Sequence, residues 1–448
     1  MSEKYHKLIS KIEKTESKIG IVGLGQVGLP TALSFSDVGF DVTGYDISSE
    51  LLASLENGKA PFEENGLQDL LNSCIHKKLF HTQTNFVSLL ENSDIIIVCV
   101  PTPLTENVRP DLSALEKVCG SFLDIFLNEK LIIIESSIPP GTFANLVVPI
   151  LQSKNKIGEN CWAAFVPERL APGQALHEIR TTPRVIGHYD EDSGKLAKAL
   201  YQKLVTSEII VTSATIAEIS KLVENTYRYV NVALANEVGL ICEKYGIDFK
   251  ELQKVCNSHP RVNLHQSGPG VGGPCLPKDP YLLLNPQGKE PIDSKIISYA
   301  HQINDSMPAH IVSLVEKGLK HHGKSISNSK IGVLGVAYKA NVSETRLSPA
   351  KEIISLLIKN SAQIQVYDPK TKETFGGNPS DLWNCISNSD AIVIVTDHNE
   401  FKSLDLGEIK NKMNLPVVID TRRIFDNKKA ESLGITYLAV GYSSNHNK

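Results

Sequence analysis

A cysteine flanked by charged residues stands in the most unusual stretch of the sequence. The segment Gly268–Pro280 holds four glycines and four prolines, which impose a specific backbone path and let a ligand approach closely. Cys275 lies in this segment, shortly before Lys278 and Asp279. A nearby cation lowers the pKa of a thiol and so increases the fraction of thiolate, the nucleophilic form. A lone cysteine is most often a packing residue, but the charged, glycine-rich setting favours a nucleophile.

Three polar residues interrupt a stretch that is otherwise apolar at neighbouring positions. Glu218, Lys221 and Asn225 are spaced i, i+3 and i+7, so on a helix they share one face. A solvated helix surface would account for them. The alternative is a polar cluster facing a cleft, where the lysine amine and the asparagine amide stabilise an oxyanion.

A glycine motif, Gly23-Leu24-Gly25-Gln26-Val27-Gly28, follows a predicted strand and opens a predicted helix. Its glycines allow a tight turn, close approach of a pyrophosphate and close helix–strand packing, while the helix N-terminus favours negative charge. Asp46 ends the next predicted strand, where a carboxylate accepts hydrogen bonds from a ribose diol and repels a 2′-phosphate. The motif therefore predicts an NAD site rather than an NADP site; the alternative is a tight turn without a ligand.

These residues require a framework of alternating strands and helices. Short apolar runs predict strands, and helical stretches such as Val27–Val38 and Leu112–Phe126 separate them. This alternation favours an α/β fold with a parallel, doubly wound sheet. The strands predicted in the first half are Ile19–Val22, Asp41–Tyr45, Ile95–Val100, Leu131–Ile134, Ala163–Val166 and Val185–Ile186.

The same pattern starts again at Lys330. Predicted strands follow at Ile364–Tyr367, Ala391–Val395 and Val417–Asp420, and Tyr367-Asp368 aligns with Tyr45-Asp46 of the first half. The turn Gly332–Ala337 keeps only two of the three glycines, so it could hold a nucleotide phosphate or be a plain structural duplicate.

Between the two halves, residues 215–245 predict one long helix without proline, suited to a spine that joins domains or mediates dimers. We expect two Rossmann-like doubly wound domains joined by a central helical domain. The predicted limits are a polar N-terminal extension at 1–16, then 17–211, 212–323 and 324–448.

Composition excludes several classes of protein. Lys plus Arg (46) against Asp plus Glu (50) leaves a net charge of -4, so no basic excess is available to neutralise nucleic-acid phosphates. The apolar runs are too short to cross a membrane, and the polar, lysine-rich beginning does not resemble a secretory signal. The eight cysteines form no C-x-x-C pair, which suits neither a disulfide scaffold nor a zinc site. We expect a cytoplasmic protein without a metal.

The ordered motifs resemble those of the NAD-dependent nucleotide-sugar 6-dehydrogenases, the family of UDP-glucose, GDP-mannose and UDP-N-acetylhexosamine dehydrogenases. The resemblance covers about residues 17 to 440. Its markers are Gly23–Pro30, Val100–Pro103, Ser136–Gly141, Pro167–Arg169, Lys221–Asn225 and Gly272–Asp279.

The resemblance implies that the C6 alcohol of a nucleotide sugar is oxidised twice, to a carboxylate, with two NAD consumed. Cys275 would trap the aldehyde as a thiohemiacetal, which a second oxidation converts to a thioester that water hydrolyses. Lys221 and Asn225 would stabilise the alkoxide and oxyanion. Asp279 and a water near Ser137 would manage protons, and Glu168 would assist thioester hydrolysis.

The resemblance also assigns binding residues. Thr102, Ser137 and Arg346 would contact the cofactor. A homodimer or higher homo-oligomer is implied, with the long helix as its spine and an arginine supplied in trans. The residues implied at the nucleotide sugar are Glu168, Arg169, Lys221, Asn225, Gly272, Tyr338, Lys339 and, from a neighbouring subunit, Arg261.

The substrate branch rests on fewer residues. Pro167–Arg169 and Arg261–Gln266 resemble the N-acetylhexosamine branch, especially the UDP-N-acetyl-D-mannosamine 6-dehydrogenases, whereas Lys278-Asp279 is similar to the glucose branch. The alternatives are a UDP-glucose or UDP-N-acetylglucosamine 6-dehydrogenase. A two-electron hydroxyacid dehydrogenase would not need Cys275, and an NAD-sensing binding protein would not need the polar set around it.

Overall fold

The structure of the chain, a computed structural model, describes residues 2–442, without the side chain of Asp124. The chain divides into two compact units. The first unit comprises the residues up to Glu224 together with Lys278–Asp293, and the second comprises Asn225–Pro277 together with the residues from Ser294 onward. The central region predicted at 212–323 is thus shared between the units. The predicted outer limits, Met1 and 443–448, lie outside the described residues.

The first unit is built on an eight-stranded sheet with helices on both faces. Its strand order is β3-β2-β1-β4-β5-β6-β7-β8, which doubles back from β1 as a doubly wound sheet does. The strands are β1 (Lys18–Val22), β2 (Asp41–Tyr45), β3 (Phe80–Gln83), β4 (Ile95–Val98), β5 (Lys130–Ile134), β6 (Cys161–Phe165), β7 (Arg184–His188) and β8 (Ile209–Ser213).

Central strands are apolar throughout because helices cover both faces of the sheet. All four residues of β4 are buried, as are all five of β6. The helices of this unit before the long helix are α1 (Glu3–Glu13), α2 (Gly28–Asp37), α3 (Ser49–Glu56), α4 (Leu67–His76), α5 (Phe86–Asn92), α6 (Ser113–Gly120), α7 (Val148–Gln152), α8 (Ala175–Thr181) and α9 (Glu191–Tyr201).

The parallel arrangement predicted for this sheet is confirmed for every neighbouring pair except one. β7 runs antiparallel to β6, with Phe165 opposite Gly187. The connection between them carries only the seven-residue α8, which packs on α2. Because no helix returns the chain to the other end of the sheet, β7 starts where β6 ends and runs back.

The polar N-terminal extension forms a helix with one buried face. In α1, Tyr5, Leu8 and Ile12 are buried, and the helix packs against α9. Ser2 caps its N-terminus by accepting a hydrogen bond from the backbone of Tyr5. These three buried residues are spaced three and four positions apart, as on the apolar face of an amphipathic helix. The pattern is hard to recognise in the sequence because lysines lie between them.

A helix of 32 residues, α10 (Ala214–Tyr245), carries the chain from the first unit into the second. It matches the long helix predicted at 215–245. The remaining central helices are α11 (Phe249–Cys256) and α13 (Lys295–His321) in the second unit and α12 (Asp279–Leu284) in the first.

The second unit contains the other sheet, six strands in the order β11-β10-β9-β12-β13-β14, all parallel. The predicted second Rossmann-like fold is confirmed. Its strands are β9 (Lys330–Leu334), β10 (Gln363–Tyr367), β11 (Asn378–Pro379), β12 (Ala391–Ile394), β13 (Val417–Asp420) and β14 (Thr436–Leu438). Its helices are α14 (Pro349–Lys359), α15 (Leu382–Ile386), α16 (Asn399–Lys402), α17 (Leu406–Lys412) and α18 (Asn427–Ser432).

Within residues 2–442, no helix is long and apolar enough to cross a membrane. The same part of the chain holds no cluster of three or more His, Cys, Asp or Glu side chains that could bind a metal ion. All eight cysteines are free thiols.

Candidate active site

The glycine turn between β1 and α2 has the geometry of a dinucleotide cradle. Gly23 has a φ of +92°, and a Cβ on Gly28 would lie 1.8 Å from the carbonyl oxygen of Gly23, so neither position tolerates a side chain. A Cβ on Gly25 would meet no atom within 4 Å among the described residues, so the space above it is open. Gln26 and Val27 complete the turn, and the N-cap residue of α2, Val27, makes no side-chain capping hydrogen bond. The residues fit a pyrophosphate on these amides.

Asp46, at the end of β2, closes the other side of this turn. Its carboxylate accepts hydrogen bonds from the backbone N–H groups of Leu24 (2.8 Å) and Ser48 (2.9 Å). The side chain remains partly exposed. A carboxylate held in this way retains lone pairs for a ribose diol, which is the recognition expected for NAD.

Two further residues predicted at the cofactor lie together at the carboxyl ends of β4 and β5. The hydroxyl of Thr102 donates to the carbonyl of Ser137 at 2.5 Å. Lys278 donates to the same Thr102 oxygen at 3.3 Å and lies 3.4 Å from the carboxylate of Asp279. The ammonium expected to flank Cys275 is therefore engaged by Thr102 and Asp279, because the chain re-enters the first unit at Lys278.

A buried ion pair joins two of the predicted catalytic residues. The carboxylate of Glu168 lies 3.9 Å from the ammonium of Lys221, and both side chains are less than 10% exposed. Burial raises the pKa of Glu168, while Lys221 and then Arg184 oppose that shift. Arg184 begins β7, so the antiparallel strand supplies the second cation. A carboxylate with a raised pKa is suited to accepting and releasing protons.

Glu218 does not share the surroundings of Lys221, although both lie on α10. Its carboxylate accepts hydrogen bonds from the backbone N–H groups of Gly141 and Phe143, each at 2.7 Å. Burial raises the pKa of Glu218 to about 7, against the two backbone donors, which lower it. Glu218 therefore fastens the loop after Ser137 to α10, a role that residue spacing could not reveal.

Arg169, predicted to contact the substrate, has its side chain bound by other residues of the first unit. It donates to the carbonyl of Pro183 at 2.9 Å and forms an ion pair with Glu224.

The catalytic candidate Asp279 is fully buried. Asn225 is also buried, one helical turn after Lys221 on α10, and is the first residue of the second unit.

In the second unit, the loop that carries Cys275 packs tightly against Tyr338. A Cβ on Gly273, whose φ is +91°, would lie 2.5 Å from the Tyr338 ring, and one on Gly272 would lie 2.7 Å from the carbonyl oxygen of Leu347. Burial, and then the negative charge of a neighbouring Cys275 thiolate, raise the pKa of Tyr338 to about 12. Cys275 itself is partly exposed.

Two buried asparagines anchor the beginning of this loop. Asn236 of α10 accepts a hydrogen bond from the backbone of Gly268 at 2.8 Å and donates to Asn304 of α13 at 3.0 Å. At the other end, the backbone of Gly273 donates to the carbonyl of Arg346 at 3.0 Å. Sequence reasoning did not identify Asn236 or Asn304. Their only signal was an uncharged polar residue within an apolar helical stretch.

Of the other site residues predicted in the second unit, Tyr338, Lys339 and Arg346 follow β9, whereas Arg261 follows α11. The Arg346 side chain donates to Glu344 from Nε (2.9 Å) and Nη2 (2.6 Å), which fixes its guanidinium. Tyr338 and Lys339 follow the β9 turn and are partly buried, whereas Arg261 is exposed in the segment after α11.

Three family models match successive parts of the chain. Residues 17–205 match the NAD-binding domain of the UDP-glucose/GDP-mannose dehydrogenase family, residues 215–306 its central domain and residues 332–427 its UDP-binding domain.

Relatives are similar over nearly their whole length. The UDP-N-acetyl-D-mannosamine dehydrogenase of Pyrococcus horikoshii is 38% identical over 95% of this chain and 99% of its own. The solved structure of a UDP-D-ManNAc dehydrogenase from that organism superposes with a TM-score of 0.88 at 37% identity, covering 95% and 99% of the two chains. A UDP-N-acetyl-mannosamine dehydrogenase from Staphylococcus aureus has a TM-score of 0.83 at 35% identity, covering 95% and 99%.

Proposed function

We propose, since this chain belongs to the UDP-glucose/GDP-mannose dehydrogenase family, that it is a UDP-N-acetyl-D-mannosamine 6-dehydrogenase. The chain is an NAD-dependent nucleotide-sugar dehydrogenase with a UDP-binding domain. The observation that carries the choice of sugar is the 38% identity to a UDP-N-acetyl-D-mannosamine dehydrogenase across 95% of the chain. The product would be the UDP-N-acetylmannosaminuronate, a precursor for surface polysaccharide.

The cofactor would be bound mainly by residues of the first unit. Gly23, Gly25 and Gly28 would receive the pyrophosphate together with the amides of Gln26 and Val27. Asp46 would bind the adenosine ribose, and Thr102, Ser137 and Arg346 would complete the site. When bound there, NAD would supply the hydride acceptor for both oxidations at C6, that of the alcohol and that of the thiohemiacetal.

The covalent steps belong to Cys275. Its thiolate adds to the aldehyde carbon, and the resulting alkoxide is stabilised by Lys221 and Asn225. Loss of the second hydride leaves a thioester on the Cys275 sulfur. Water then attacks the thioester carbonyl, the C–S bond breaks, and the carboxylate product and the thiol separate.

Proton movements are assigned to three side chains. Glu168 would take a proton from the water that attacks the thioester, since burial raises its pKa and Lys221 lies 3.9 Å away. Asp279 and a water near Ser137 would accept the proton of the C6 hydroxyl. The raised pKa of Glu168 supports its role, and the resemblance to the family supports the other two.

The nucleotide sugar would be bound mainly by the second unit. Tyr338, Lys339 and Gly272 would contact it together with Arg169, Glu168, Lys221 and Asn225, and Arg261 of the partner subunit would contact the nucleotide. We assign the chain to a homodimer for this reason. Arg261 is exposed and therefore accessible to a second copy. Large apolar side chains exposed along α10 support the same assembly: Ile216, Val223, Tyr227, Leu234, Ile241 and Tyr245.

The predicted domain limits of 17–211, 212–323 and 324–448 contain the three family-model matches, which supports a division into an NAD domain, a dimerisation domain and a UDP domain.

We place the enzyme in the cytoplasm, where thiols stay reduced, because all eight of its cysteines are free.

Counting NADH per sugar tests the proposal. UDP-N-acetylmannosamine, UDP-N-acetylglucosamine and UDP-glucose are each supplied in limiting amount with excess NAD, and absorbance at the NADH band is followed to completion. We expect two NADH per UDP-N-acetylmannosamine. Two NADH from UDP-glucose alone would contradict the choice of sugar, and one NADH per sugar would contradict the four-electron route.

A further inference from the structure

The carboxylate of Asp368 is enclosed at the end of β10. Its Oδ2 accepts hydrogen bonds from the backbone N–H groups of Val336 (2.7 Å) and Ala337 (3.0 Å), and His398 Nε2 lies 3.1 Å from the same oxygen. Its side chain is 0% exposed and that of His398 is 1% exposed. Asp368 is therefore saturated with internal donors and closed to a ligand.

His398 is held from both sides, which determines its tautomer. The backbone N–H of Asn341 donates to His398 Nδ1 at 2.9 Å. Because a backbone N–H only donates, Nδ1 carries no proton, and the proton of the neutral ring is on Nε2, directed at Asp368. The pair thus ties residues 336 and 337 to residue 341.

A second set of contacts fastens the same short segment. The hydroxyl of Thr396 donates to the carbonyl of Ala337 at 2.5 Å, and the side-chain oxygen of Asn341 accepts from the backbone of Asn399 at 3.0 Å. Only residues 338–340 lie between the fastened positions. Tyr338 and Lys339, proposed to receive the nucleotide, are two of these three, so their backbone is held at both ends.

The first unit has an aspartate at the position that corresponds to Asp368, but there the carboxylate is not enclosed. Gly23 and Gly335 both have positive φ (+92° and +86°), and each is followed by a residue whose N–H donates to an aspartate at the end of the next strand. Asp46 is that aspartate in the first unit. It is partly exposed and accepts hydrogen bonds from two backbone N–H groups, which leaves it available to a ribose.

We propose that Asp368 and His398 are positioning residues for the nucleotide sugar. The carboxylate that binds a ribose in the first unit serves in the second as an internal acceptor that holds the 336–341 segment in its binding conformation. The inference rests on the proposed function in that it takes Tyr338 and Lys339 as nucleotide contacts. It also predicts that the duplicate does not bind NAD through Asp368, because this carboxylate already accepts internal hydrogen bonds.

Variants of His398 test this with the full-length protein and UDP as the probe. His398→Leu removes the donor to Asp368 and the acceptor for Asn341, whereas His398→Gln retains one donor and one acceptor. For His398→Leu we expect the Kd for UDP, measured by calorimetry, and the KM for the UDP-sugar to rise about tenfold, equivalent to ~1.4 kcal/mol. The kcat and the KM for NAD should stay within about twofold, and His398→Gln should recover most of the UDP affinity.

Asp46→Asn provides the matched comparison in the other unit. It should raise the KM for NAD and leave the Kd for UDP unchanged, the opposite of His398→Leu. Thr396→Val removes the hydroxyl that donates to the carbonyl of Ala337 and should raise the Kd for UDP about threefold, because the buried carbonyl loses its donor. This variant keeps the test valid if His398→Leu does not fold.

Two results separate the possible failures. Unchanged UDP affinity in His398→Leu, or in Thr396→Val if the former does not fold, would overturn the inference and leave the pair a purely structural element. Failure of the native protein to bind UDP would instead contradict the proposed function itself.

Discussion

Two buried carboxylates of the first unit are stabilised in different ways. Glu168 lies beside the ammonium of Lys221 and has a pKa raised by burial, whereas Glu218 accepts backbone hydrogen bonds from Gly141 and Phe143. The backbone of Gln287 also donates to the carbonyl of Pro140 at 2.9 Å, so the loop after Ser137 is held on two sides. Glu218 therefore holds the loop in position, and Glu168 is the carboxylate suited to acid–base catalysis.

The titration of Glu218 makes stability depend on pH. Its pKa of about 7 in the folded protein exceeds the ordinary value of 4.5, mainly because of burial. The folded state therefore binds more protons than the unfolded state between these values, and the contribution to stability is full below pH 4.5 and is lost as the pH rises through 7. We expect the native protein to lose about 3 kcal/mol relative to Glu218→Gln between pH 4.5 and 8.

Urea denaturation of both proteins across this range measures the difference. Glu218→Gln has no charge to bury, so its own unfolding free energy supplies the baseline for all other titrating groups. A native-minus-variant difference that is constant with pH would show that Glu218 does not titrate in this window.

In the proposed mechanism, Cys275 carries the second oxidation. We expect Cys275→Ser to lower the rate of carboxylate formation by about three orders of magnitude or more, since a serine hydroxyl is a far weaker nucleophile than a thiolate near neutral pH. NADH formation and product analysis by mass spectrometry measure the effect. Cys256→Ser, at another partly exposed cysteine, is the control and should retain native activity. Two NADH per sugar at the native rate from Cys275→Ser would reject the thioester route.

At the scale of elements, the cysteine loop depends on residues that have no side chain. Gly272 and Gly273 allow the loop to lie against Tyr338, while Asn236 and Arg346 hold its two ends. A proline-rich segment of this kind makes few regular hydrogen bonds, so close packing must define its path. The nucleophile is consequently placed by its neighbours rather than by a helix or strand.

A pair of glycine substitutions separates backbone strain from loss of this packing. Gly273→Ala adds a Cβ 2.5 Å from Tyr338 at a φ of +91°, whereas Gly246→Ala has a φ of +67° and meets no atom within 4 Å among the described residues. Both should lose about 1 kcal/mol of stability from the left-handed backbone. We expect only Gly273→Ala to lose activity, by about a hundredfold, as measured by steady-state kinetics beside thermal unfolding. Equal activity of the two variants would show that contact with Tyr338 is dispensable.

At the scale of the whole molecule, α10 runs from one unit into the other and exposes a series of large apolar side chains. Their exposed fractions include 57% for Tyr227, 48% for Leu234 and 45% for Ile241. These residues recur every seven positions and so share one side of the helix. In the proposed homodimer, a second copy of the chain would cover this stripe and supply Arg261.

Charge on this stripe should separate the subunits. We expect Leu234→Lys combined with Tyr227→Lys to give a monomer in light scattering and to lose most activity, because a lone chain lacks the arginine supplied in trans. Ile358→Lys, at a similarly exposed apolar residue of α14, is the control and should leave the assembly intact. A charged variant that remains a dimer with native activity would reject this surface as the interface.

Local patterns in the sequence were sufficient for the fold class, the glycine turn and the duplication. The predicted strands Asp41–Tyr45 and Val417–Asp420 match β2 and β13 residue for residue, and the predicted long helix begins within one residue of α10. These features can be predicted from the sequence because each depends on residues close together in the chain: apolar runs, glycines at fixed spacing and an aspartate one strand later. The resemblance to a family came from the same short motifs.

Contacts between distant residues required the folded structure. The hydrogen bonds of Glu218 span 75 and 77 residues, and His398 meets Asp368 across 30. The antiparallel direction of β7, which brings Arg184 toward Glu168, was equally invisible. Burial strengthens such polar contacts, but which partners meet is set by how sheets and helices pack. The local sequence thus established the chemical groups, and the tertiary structure determined which carboxylate is paired with an ammonium, which holds a loop and which is enclosed by internal donors.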